Sequence, residues 1–360
     1  MEILQLIDSL NSGGAESVAI NLSNALSKRG HQVSLCTTRE GGPLLSNLSP
    51  AVDYLCLNKQ TFFDIIAFHR LIRLLKDKEP QIIHAHSSSI IWALFAKLFI
   101  KKLKVVWHVH SGALPQKNHT YYFYKFLIKS MDGILVVNQS IFDWVVATLN
   151  VSIHRVWYLK NFIINSEVHP LTNLPGQDGF RVLCVASFRP QKDHISLIRA
   201  FKKVLEVESK AHLILVGEDT YVDIREKIFA EIADLVIQSN VTWLGRRDDV
   251  LGIMAGCDVG VLSSVSEGLP LVLLEYGTVG LPVVVTDVGE CGYVIDHGKA
   301  GILIPPNSIE DLANGITELL THPSQMKKYG KRLQERVENL FSSGKITDEL
   351  ELIYRTILSS

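Results

Sequence analysis

Thirteen short apolar runs most constrain the fold of this chain of 360 residues, because they alternate with stretches of helical periodicity. Seven runs come first, at 3–7, 32–36, 54–57, 81–84, 104–109, 133–137 and 155–159. Six more follow, at 182–186, 212–216, 241–244, 259–262, 283–286 and 302–304. Alternating strands and helices of these lengths predict parallel sheets covered by helices, which is the doubly wound α/β class.

The alternation lapses once, at 165–179, where the residues NSEVHPLTNLPGQDG show no periodicity. Proline, glycine and polar residues accumulate there, as they do in connections between domains. We therefore predict a first domain over 1–165, a linker over 166–179 and a second domain over 180–342. Each domain has the ordinary size of an α/β core.

Two glutamates stand at a predicted strand-to-helix junction in LSSVSEGLPLVLLEYGTVGLP, residues 262–282. Pro270 suits the first turn of a helix that runs to about residue 279, where its missing N–H is harmless. The N–H groups of Gly268, Leu269 and Leu271 would then point out at the loop and form an anion site. Glu267 would lie at the mouth of this site, and Glu275 would reach another part of the same ligand.

The spacing of the two glutamates is weak evidence alone. Glu218 with Glu226 and Glu310 with Glu318 repeat it, and both pairs are typical of a solvated helix surface. Position distinguishes Glu267 and Glu275, because open α/β sheets bind ligands at the carboxyl ends of their strands.

This segment and its continuation, VVVTDVGECGYVIDHGKAGILIPP, resemble the carboxyl-terminal domain of retaining glycosyltransferases of family 4, whose signature is a glutamate pair with seven residues between. The resemblance extends over nearly the whole chain. It implies the GT-B architecture, with two facing Rossmann-like domains and a deep interdomain cleft. It also implies that 1–165 binds the acceptor, that 180–342 binds the nucleotide-sugar, and that a helix within 343–360 packs back on the first domain.

Gly13 and Gly14 follow the first strand in SLNSGGAES, directly before a helical stretch. Glycines allow close backbone approach, and a helix N-terminus can face a phosphate. The resemblance implies that this loop lies against the donor phosphates or the acceptor; the alternative is a plain tight turn. The loop lacks the three-glycine dinucleotide fingerprint, which disfavours a nicotinamide enzyme.

His108 and His110 end the strand in KVVWHVHSG, with side chains on one face. Two such histidines can bind zinc. We expect no metal, however, because no third ligand is indicated nearby and His84 and His86 repeat the pattern on the preceding strand. The resemblance places His110 close to the transferred sugar, and the other three are interpreted as polar residues at a strand end.

Arg189 and Lys192 follow the first strand of the second domain in CVASFRPQKDHISLIRAF. Fixed cations there would stabilise the charge that develops on a departing nucleotide diphosphate, in place of a metal ion. The family has Gly-Arg at the positions of Ala186 and Ser187, so Arg189 would substitute for that arginine. Alternatively both are surface charges. Arg246 stands where the family often holds the nucleotide base, although a surface arginine fits equally well.

Charge is unevenly distributed. Residues 1–170 contain 17 Lys+Arg and 11 Asp+Glu, against 19 and 26 in the remainder, and 90–130 contains seven lysines and no acid. Aromatic residues interleave with these lysines, at 92, 95, 99, 107, 121–124 and 126. Such a surface suits an anionic membrane; the alternative is that the apolar residues are core and the lysines are merely solvated. Nucleic acid is disfavoured because no binding motif accompanies the charge.

The five cysteines are scattered and form no C-x-x-C pair, and the first residues do not look like a signal peptide. We expect a cytoplasmic protein, peripheral on the inner face of the membrane if 90–130 docks there. The predicted function is retaining transfer of a hexose or N-acetylhexosamine from a nucleotide diphosphate, favouring UDP, to a lipid-linked or polysaccharide acceptor, with no cofactor. The alternatives are a sugar-nucleotide epimerase of the same fold and a non-catalytic subunit that binds a sugar nucleotide.

Overall fold

A computed structural model of the chain describes residues 1–11, 13–61, 64–110, 122, 125–163, 168–219 and 221–360. The chain divides into two compact units, which are described separately. Unit 1 comprises Met1–Ile164 and Ser343–Ser360, and unit 2 comprises Asn165–Ser342.

Unit 1 is built on a seven-stranded parallel sheet in the order β3-β2-β1-β4-β5-β6-β7. Its strands are β1 (Glu2–Ile7), β2 (Gln32–Thr37), β3 (Asp53–Cys56), β4 (Ile82–His86), β5 (Lys104–Val109), β6 (Gly133–Val136) and β7 (Val156–Tyr158). The strand order reverses between β1 and β4, so the carboxyl edge there is a topological switch point.

The helices of unit 1 in the described residues are α1 (Gly14–Lys28), α2 (Ile65–Lys78), α3 (Ile90–Lys97), α4 (Gln139–Asp143) and the distant α12 (Ser343–Ser359). Side-chain caps begin two of them. The carboxylate of Asp64 accepts from the N–H of Ala67 at 2.9 Å, and Asn138 Oδ1 accepts from the N–H of Ile141 at 2.7 Å. Each cap satisfies an N–H group that has no partner within its helix.

Unit 2 repeats the plan with a six-stranded parallel sheet in the order β10-β9-β8-β11-β12-β13. Its strands are β8 (Arg181–Val185), β9 (His212–Val216), β10 (Val241–Trp243), β11 (Val259–Leu262), β12 (Val283–Thr286) and β13 (Ile302–Ile304). Its described helices are α5 (His194–Val207), α6 (Val222–Asp234), α7 (Val250–Ala255), α8 (Leu271–Thr278), α9 (Cys291–Val294), α10 (Ile309–Thr321) and α11 (Pro323–Leu340). The switch point lies between β8 and β11.

The predicted α/β class with parallel sheets is confirmed, and all thirteen strands form where the apolar runs predicted them. The observed strands differ from the predicted apolar runs at their ends. β4 continues to His86 and β2 to Thr37, because buried polar side chains extend these strands beyond their apolar runs. Both extensions bring polar groups to the carboxyl edge.

Helix α12 packs on unit 1 through a buried apolar stripe that includes Leu350, Ile353 and Ile357. Polar contacts border this stripe. The guanidinium of Arg29 donates to the carbonyl of Gly344 at 2.8 Å, and a ring nitrogen of His31 lies 3.1 Å from a carboxylate oxygen of Glu351. Residues far apart in sequence therefore complete one core.

Residues 168–179, within the predicted linker, are held on unit 2 by Arg181. The guanidinium of this buried side chain donates to the carbonyls of Leu174, Pro175 and Gly176 at 3.1–3.2 Å, and to that of Gly256 at 3.1 Å. The segment lacks helices and strands but is fixed by these bonds. Residues 166 and 167 of the linker prediction lie outside the described residues.

None of the helices in the described part of the chain combines the length and the apolar character needed to traverse a lipid bilayer.

Candidate functional site

Two loops meet at the switch point of unit 2, one after β8 and one after β11. Ser263 Oγ donates to the carbonyl of Lys192 at 2.9 Å, and the N–H of Val265 donates to the carbonyl of Gln191 at 2.9 Å. These bonds bring the predicted cation loop and the predicted glutamate loop together.

Lys192 and Glu267 form an ion pair at this junction. The ammonium lies 2.5 Å from Glu267 Oε1, and Ser264 Oγ donates to the same oxygen at 2.6 Å. The side chains are 21% and 10% exposed, so solvent screens the pair only weakly. Oε2 of Glu267 has no partner among the described residues and is available to accept from a ligand hydroxyl.

Arg189 lies in the same loop, before the single turn Pro190–Lys192. Its Nε is enclosed and has no hydrogen-bond partner in the described structure, and the guanidinium forms no ion pair there. A buried unpaired donor is costly, by about 1–3 kcal/mol, unless a ligand satisfies it. An anion would provide the missing acceptor.

Helix α8 begins after Pro270, whereas the prediction placed Pro270 within its first turn. Pro270 is its N-cap in an extended conformation, and Leu271 is the first helical residue. The N–H of Gly268 has no acceptor among the described residues, whereas the side chain of Leu269 is buried in the core. The carbonyl of Gly268 accepts from the N–H of Glu290 at 2.9 Å.

Gly289 packs closely against the loop that contains Glu267 and Gly268. Its φ is +54°, and a Cβ there would lie 2.3 Å from the carbonyl oxygen of Glu267 and 2.5 Å from that of Gly268. Only glycine accommodates both this backbone conformation and this approach.

Glu275 lies in the second turn of α8 and has no hydrogen bond or ion pair with another described residue. Its side chain keeps a minor part of its surface in solvent. Nearby protein atoms nevertheless desolvate the carboxyl and raise its pKa to about 7. A perturbed, unpartnered carboxyl near the carboxyl edge of the sheet is typical of a ligand site.

Two other predicted site regions are less distinctive. Arg246 pairs with the exposed Asp248, two residues along, at 2.9 Å. Gly13 is the N-cap of α1, and a Cβ on Gly14 would meet nothing within 4 Å. A Cβ on Gly13, in contrast, would lie 2.2 Å from a carboxylate oxygen of Glu16, so this acidic side chain lies at the α1 N-terminus.

The four histidines of β4 and β5 lie together in unit 1. His86 Nδ1 is 2.8 Å from His110 Nε2, and His84 Nε2 is 3.1 Å from His108 Nδ1. The argument that no third metal ligand lies near His108 is therefore wrong, because β4 pairs with β5 and places His86 opposite His108. One ligand nitrogen each of His84, His86 and His108 lies within 4.8 Å of the others.

Burial keeps this cluster neutral. It lowers the pKa of His84 and of His110 to about 3, with a smaller effect of His110 on His84. Burial also lowers the pKa of His86 and of His108, each reinforced by the neighbouring rings.

Two members of this cluster were not predicted from sequence. Gln5 Oε1 is 2.8 Å from His86 Nε2, and Tyr354 Oη is 2.5 Å from His84 Nδ1. Gln5 is a polar residue in the middle of the apolar strand EILQLI, and this was the available signal. Tyr354 lies in α12, so no local pattern could connect it to His84.

The basic segment 90–130 is divided between core and surface. Trp92 and Trp107 are buried, as the core interpretation predicted. Phe95, Leu98 and Phe99 are exposed. Lys117, Tyr121, Phe123 and Tyr124 lie outside the described residues.

Two family models match the chain, and together they leave unmatched only 1–11, 165–171 and 337–360. The model described as Glycosyltransferase Family 4 matches residues 12–164, and the model described as Glycosyl transferases group 1 matches residues 172–336. The chain belongs to glycosyltransferase family 4. This family 4 protein is therefore a transferase of glycosyl groups.

Curated glycosyltransferases are similar to the chain over most of its length. It is 27% identical to an N-acetyl-alpha-D-glucosaminyl L-malate synthase of Bacillus anthracis, over 96% of this chain and 94% of the relative. It is 24% identical to the UDP-Gal:alpha-D-GlcNAc-diphosphoundecaprenol alpha-1,3-galactosyltransferase of Escherichia coli, over 88% and 87% of the two chains.

Solved structures show the same fold. The crystal structure of Anabaena HepE in complex with UDP and glucose matches with a TM-score of 0.82 and 20% identity, covering 98% of each chain. Sucrose-phosphate synthase from Thermosynechococcus elongatus matches with a TM-score of 0.82 and 19% identity, covering all of both chains. The family 4 protein thus has the predicted GT-B fold.

Proposed function

We propose that this protein transfers a hexose or N-acetylhexosamine from a UDP-sugar to an acceptor hydroxyl, with retention of configuration at the anomeric carbon. The proposed acceptor is a lipid-linked or polysaccharide intermediate of a cell-surface glycan. The E. coli relative is named for such a donor and a diphosphoundecaprenol acceptor, and HepE has been crystallised with UDP-glucose. A Staphylococcus aureus relative is a capsular polysaccharide glycosyltransferase.

The observation that carries the proposal is the Lys192–Glu267–Ser264 cluster with Arg189 in the adjoining loop. Lys192 and Arg189 would bind the diphosphate, whose oxygens supply acceptors for the unpaired Nε of Arg189. Fixed cations in a poorly hydrated site stabilise the charge that develops as the glycosidic bond breaks. This arrangement would make a metal ion unnecessary.

Glu267 and Glu275 would bind two different parts of the donor. Oε2 of Glu267 is available for a sugar hydroxyl, while Oε1 is already held by Lys192 and Ser264. The carboxylate of Glu275 would accept from two ribose hydroxyls, which replace the water that its burial removes. Gly268 would add its free N–H to a phosphate oxygen.

His110 would contact the transferred sugar, and the α1 N-terminus at Gly13 and Gly14 would face the phosphates or the acceptor. The acceptor hydroxyl attacks on the face that the leaving diphosphate vacates, and a phosphate oxygen takes its proton. No protein general base is then required, and the product keeps the configuration of the donor.

Calorimetric titration of UDP, GDP and ADP with EDTA present tests the donor assignment. We expect selective UDP binding that survives EDTA. Lys192→Ala should lower turnover about 100-fold or more without unfolding the protein. Lys203→Ala is the matched control, since Lys203, in the third turn of α5, also pairs with a glutamate: its ammonium lies 2.7 Å from Glu310 on α10. Equal activity of the two variants would remove Lys192 from the mechanism.

Product stereochemistry tests retention. The anomeric proton coupling of the product should match that of the UDP-sugar, and an inverted coupling would overturn the proposed chemistry. The acceptor screen includes L-malate, because one relative is named as a malate synthase of this kind. UDP-sugar interconversion without acceptor would instead indicate an epimerase.

We further propose that unit 1 docks on an anionic membrane through an apolar patch formed by Ile65, Ile66, Phe95, Leu98 and Phe99. All five side chains are exposed. Phe68 of α2 contacts Trp92 of α3 and also Phe99, with ring centroids 5.9 and 5.6 Å apart. The exposed Lys101 and Lys102 follow immediately, which matches the negative charge of such a membrane.

Vesicle flotation tests the docking. The protein should float with vesicles that contain anionic lipid and remain behind with zwitterionic ones. Leu98→Ser should weaken flotation about tenfold, since Leu98 is 72% exposed and would be buried in the interface. Leu352→Ser is the control, because Leu352 is similarly exposed, at 67%, but lies on α12 and not on α2 or α3. Equal effects of the two changes would refute a specific patch.

A further inference from the structure

Six side chains of unit 1 form one continuous hydrogen-bond chain beneath the carboxyl edge of its sheet. In order they are His110, His86, Gln5, Tyr354, His84 and His108. The successive donor-to-acceptor distances are 2.8, 2.8, 3.5, 2.5 and 3.1 Å. Every member except His110 is buried. The chain joins β1, β4, β5 and α12.

Gln5 gives the chain a direction, because a carboxamide accepts through oxygen and donates through nitrogen. Its Oε1 accepts from His86 at 2.8 Å, so the proton of His86 is on Nε2. Nδ1 of His86 is then a lone pair. It can only accept, and the donor is Nε2–H of His110 at 2.8 Å.

The other half of the chain continues in the same direction. Nε2 of Gln5 donates to Tyr354 Oη, the tyrosine hydroxyl donates to His84 Nδ1, and His84 Nε2–H donates to His108 Nδ1. Nε2 of His108 ends the chain without a partner among the described residues. Each link thus uses one donor and one acceptor without conflict.

We propose that Gln5 is a positioning residue for His110. Through His86, its carboxamide holds His110 in one neutral tautomer, with the proton on Nε2 and a lone pair on Nδ1. Nδ1 of His110 has no hydrogen bond to any described residue, and it would accept from a substrate hydroxyl. This inference rests on the proposed function, in which His110 contacts the transferred sugar.

A metal ion would need the same nitrogens. Zinc bonds of about 2.0–2.1 Å in a tetrahedral site put ligand nitrogens about 3.3 Å apart. Of the six ring nitrogens of His84, His86 and His108, only Nε2 of His108 is outside the hydrogen bonds described above. Metal binding would break the chain, and stoichiometric zinc in the purified protein would overturn the proposal.

The test is the tautomer of each histidine in the free full-length protein, read by two-bond ¹H–¹⁵N correlation spectra with ¹⁵N-labelled histidine. His110→Gln assigns the His110 signals. We expect a single Nε2–H tautomer of His110 in the wild type and a mixture of tautomers in Gln5→Met, which has similar volume but no amide. A protonated ring or an Nδ1–H tautomer of His110 in the wild type would overturn the inference without any variant.

Two tyrosine variants serve as comparisons. Tyr354→Phe removes the link between the halves, so it should alter the His84 and His108 signals and leave His110 in its tautomer. Tyr54→Phe is the matched control, because it removes a hydroxyl of the same unit that lies 2.9 Å from Thr37 Oγ1 and touches none of the four histidines. It should leave all four histidines and the turnover unchanged.

Kinetics connect the tautomer to turnover. Gln5→Met should lower kcat about tenfold while the KM for the donor changes less than about threefold, because Gln5 acts on orientation and not on donor binding. An unchanged His110 tautomer in a folded Gln5→Met protein would refute the inference. If the tautomer shifts as expected but the wild type transfers no sugar, the proposed function fails and the role of Gln5 in fixing the tautomer stands.

Discussion

Replacing Glu275 by glutamine should stabilise the protein at high pH. Desolvation raises the pKa of this carboxyl from 4.5 to about 7. The folded state therefore holds the proton more tightly than the unfolded state. The resulting stability is complete below pH 4.5 and is lost as the pH rises through 7. Glutamine carries no charge and removes this dependence.

The size of the effect follows from the shift. At about 1.4 kcal/mol per pH unit, the cost of ionising Glu275 is about 1 kcal/mol at pH 5.5 and about 3 kcal/mol at pH 8.5. Glu275→Gln should therefore gain about 2 kcal/mol relative to the wild type between these two pH values. Urea unfolding of unit 2 at both pH values measures this difference in the free energy of unfolding.

The matched control is Glu226→Gln, an exposed position on α6 of the same unit, which should show no such change. A pH-independent difference between Glu275→Gln and the wild type would refute the reasoning, because desolvation of the carboxyl would then not be its cause. The same variant should bind UDP more weakly, by about tenfold, if the carboxylate binds the ribose. Stability and nucleotide affinity would thus change in opposite directions.

Two further predictions concern the loops around the proposed donor site. Arg181→Met should destabilise unit 2 by about 2–4 kcal/mol, because four carbonyls lose their buried donor. Residues 168–179 should then become the first site of limited proteolysis. The control Arg199→Met removes an exposed ion pair with Glu231 and should leave the protease pattern unchanged. Gly289→Ala should lower turnover more than tenfold, because its methyl group displaces the Glu267 loop. Gly179→Ala also places alanine at a positive φ but meets nothing within 4 Å, so it should cost stability alone, and equal turnover of the two variants would contradict the steric argument.

The strands were predictable because most of them are local runs of apolar residues, and the sheet class follows from their alternation with helices. The loops of Glu267 and of Lys192 could also be assigned to one edge of the sheet, because each follows a predicted parallel strand. The ion pair between Lys192 and Glu267 could not be predicted, since it depends on which two strands are neighbours in the sheet. The raised pKa of Glu275 depends on packing around a mostly apolar helix, and the sequence does not show how closely its neighbours surround the carboxyl.

Non-local contacts account for the remaining differences. His84 meets Tyr354 across 270 positions of sequence, and His86 meets Gln5 across 81. Gln5 stands out as a polar residue in an apolar strand, but nothing in any of these segments identifies the distant partner. Pro270 was placed one position too far into its helix, because its fixed φ suits both the N-cap and the first turn, and only ψ distinguishes them.

The discontinuity of unit 1 has a consequence for synthesis on the ribosome. Unit 2 is a single stretch of sequence, whereas unit 1 lacks α12, including Tyr354 and the apolar stripe, until residues 343–360 have been made. Domains usually fold in the order in which they are translated. Here unit 1 is synthesised first but keeps its α12-binding face exposed. Unit 2 is synthesised second and is the first unit whose sequence is complete. A released chain that ends at residue 342 should accordingly protect unit 2 from protease but not unit 1.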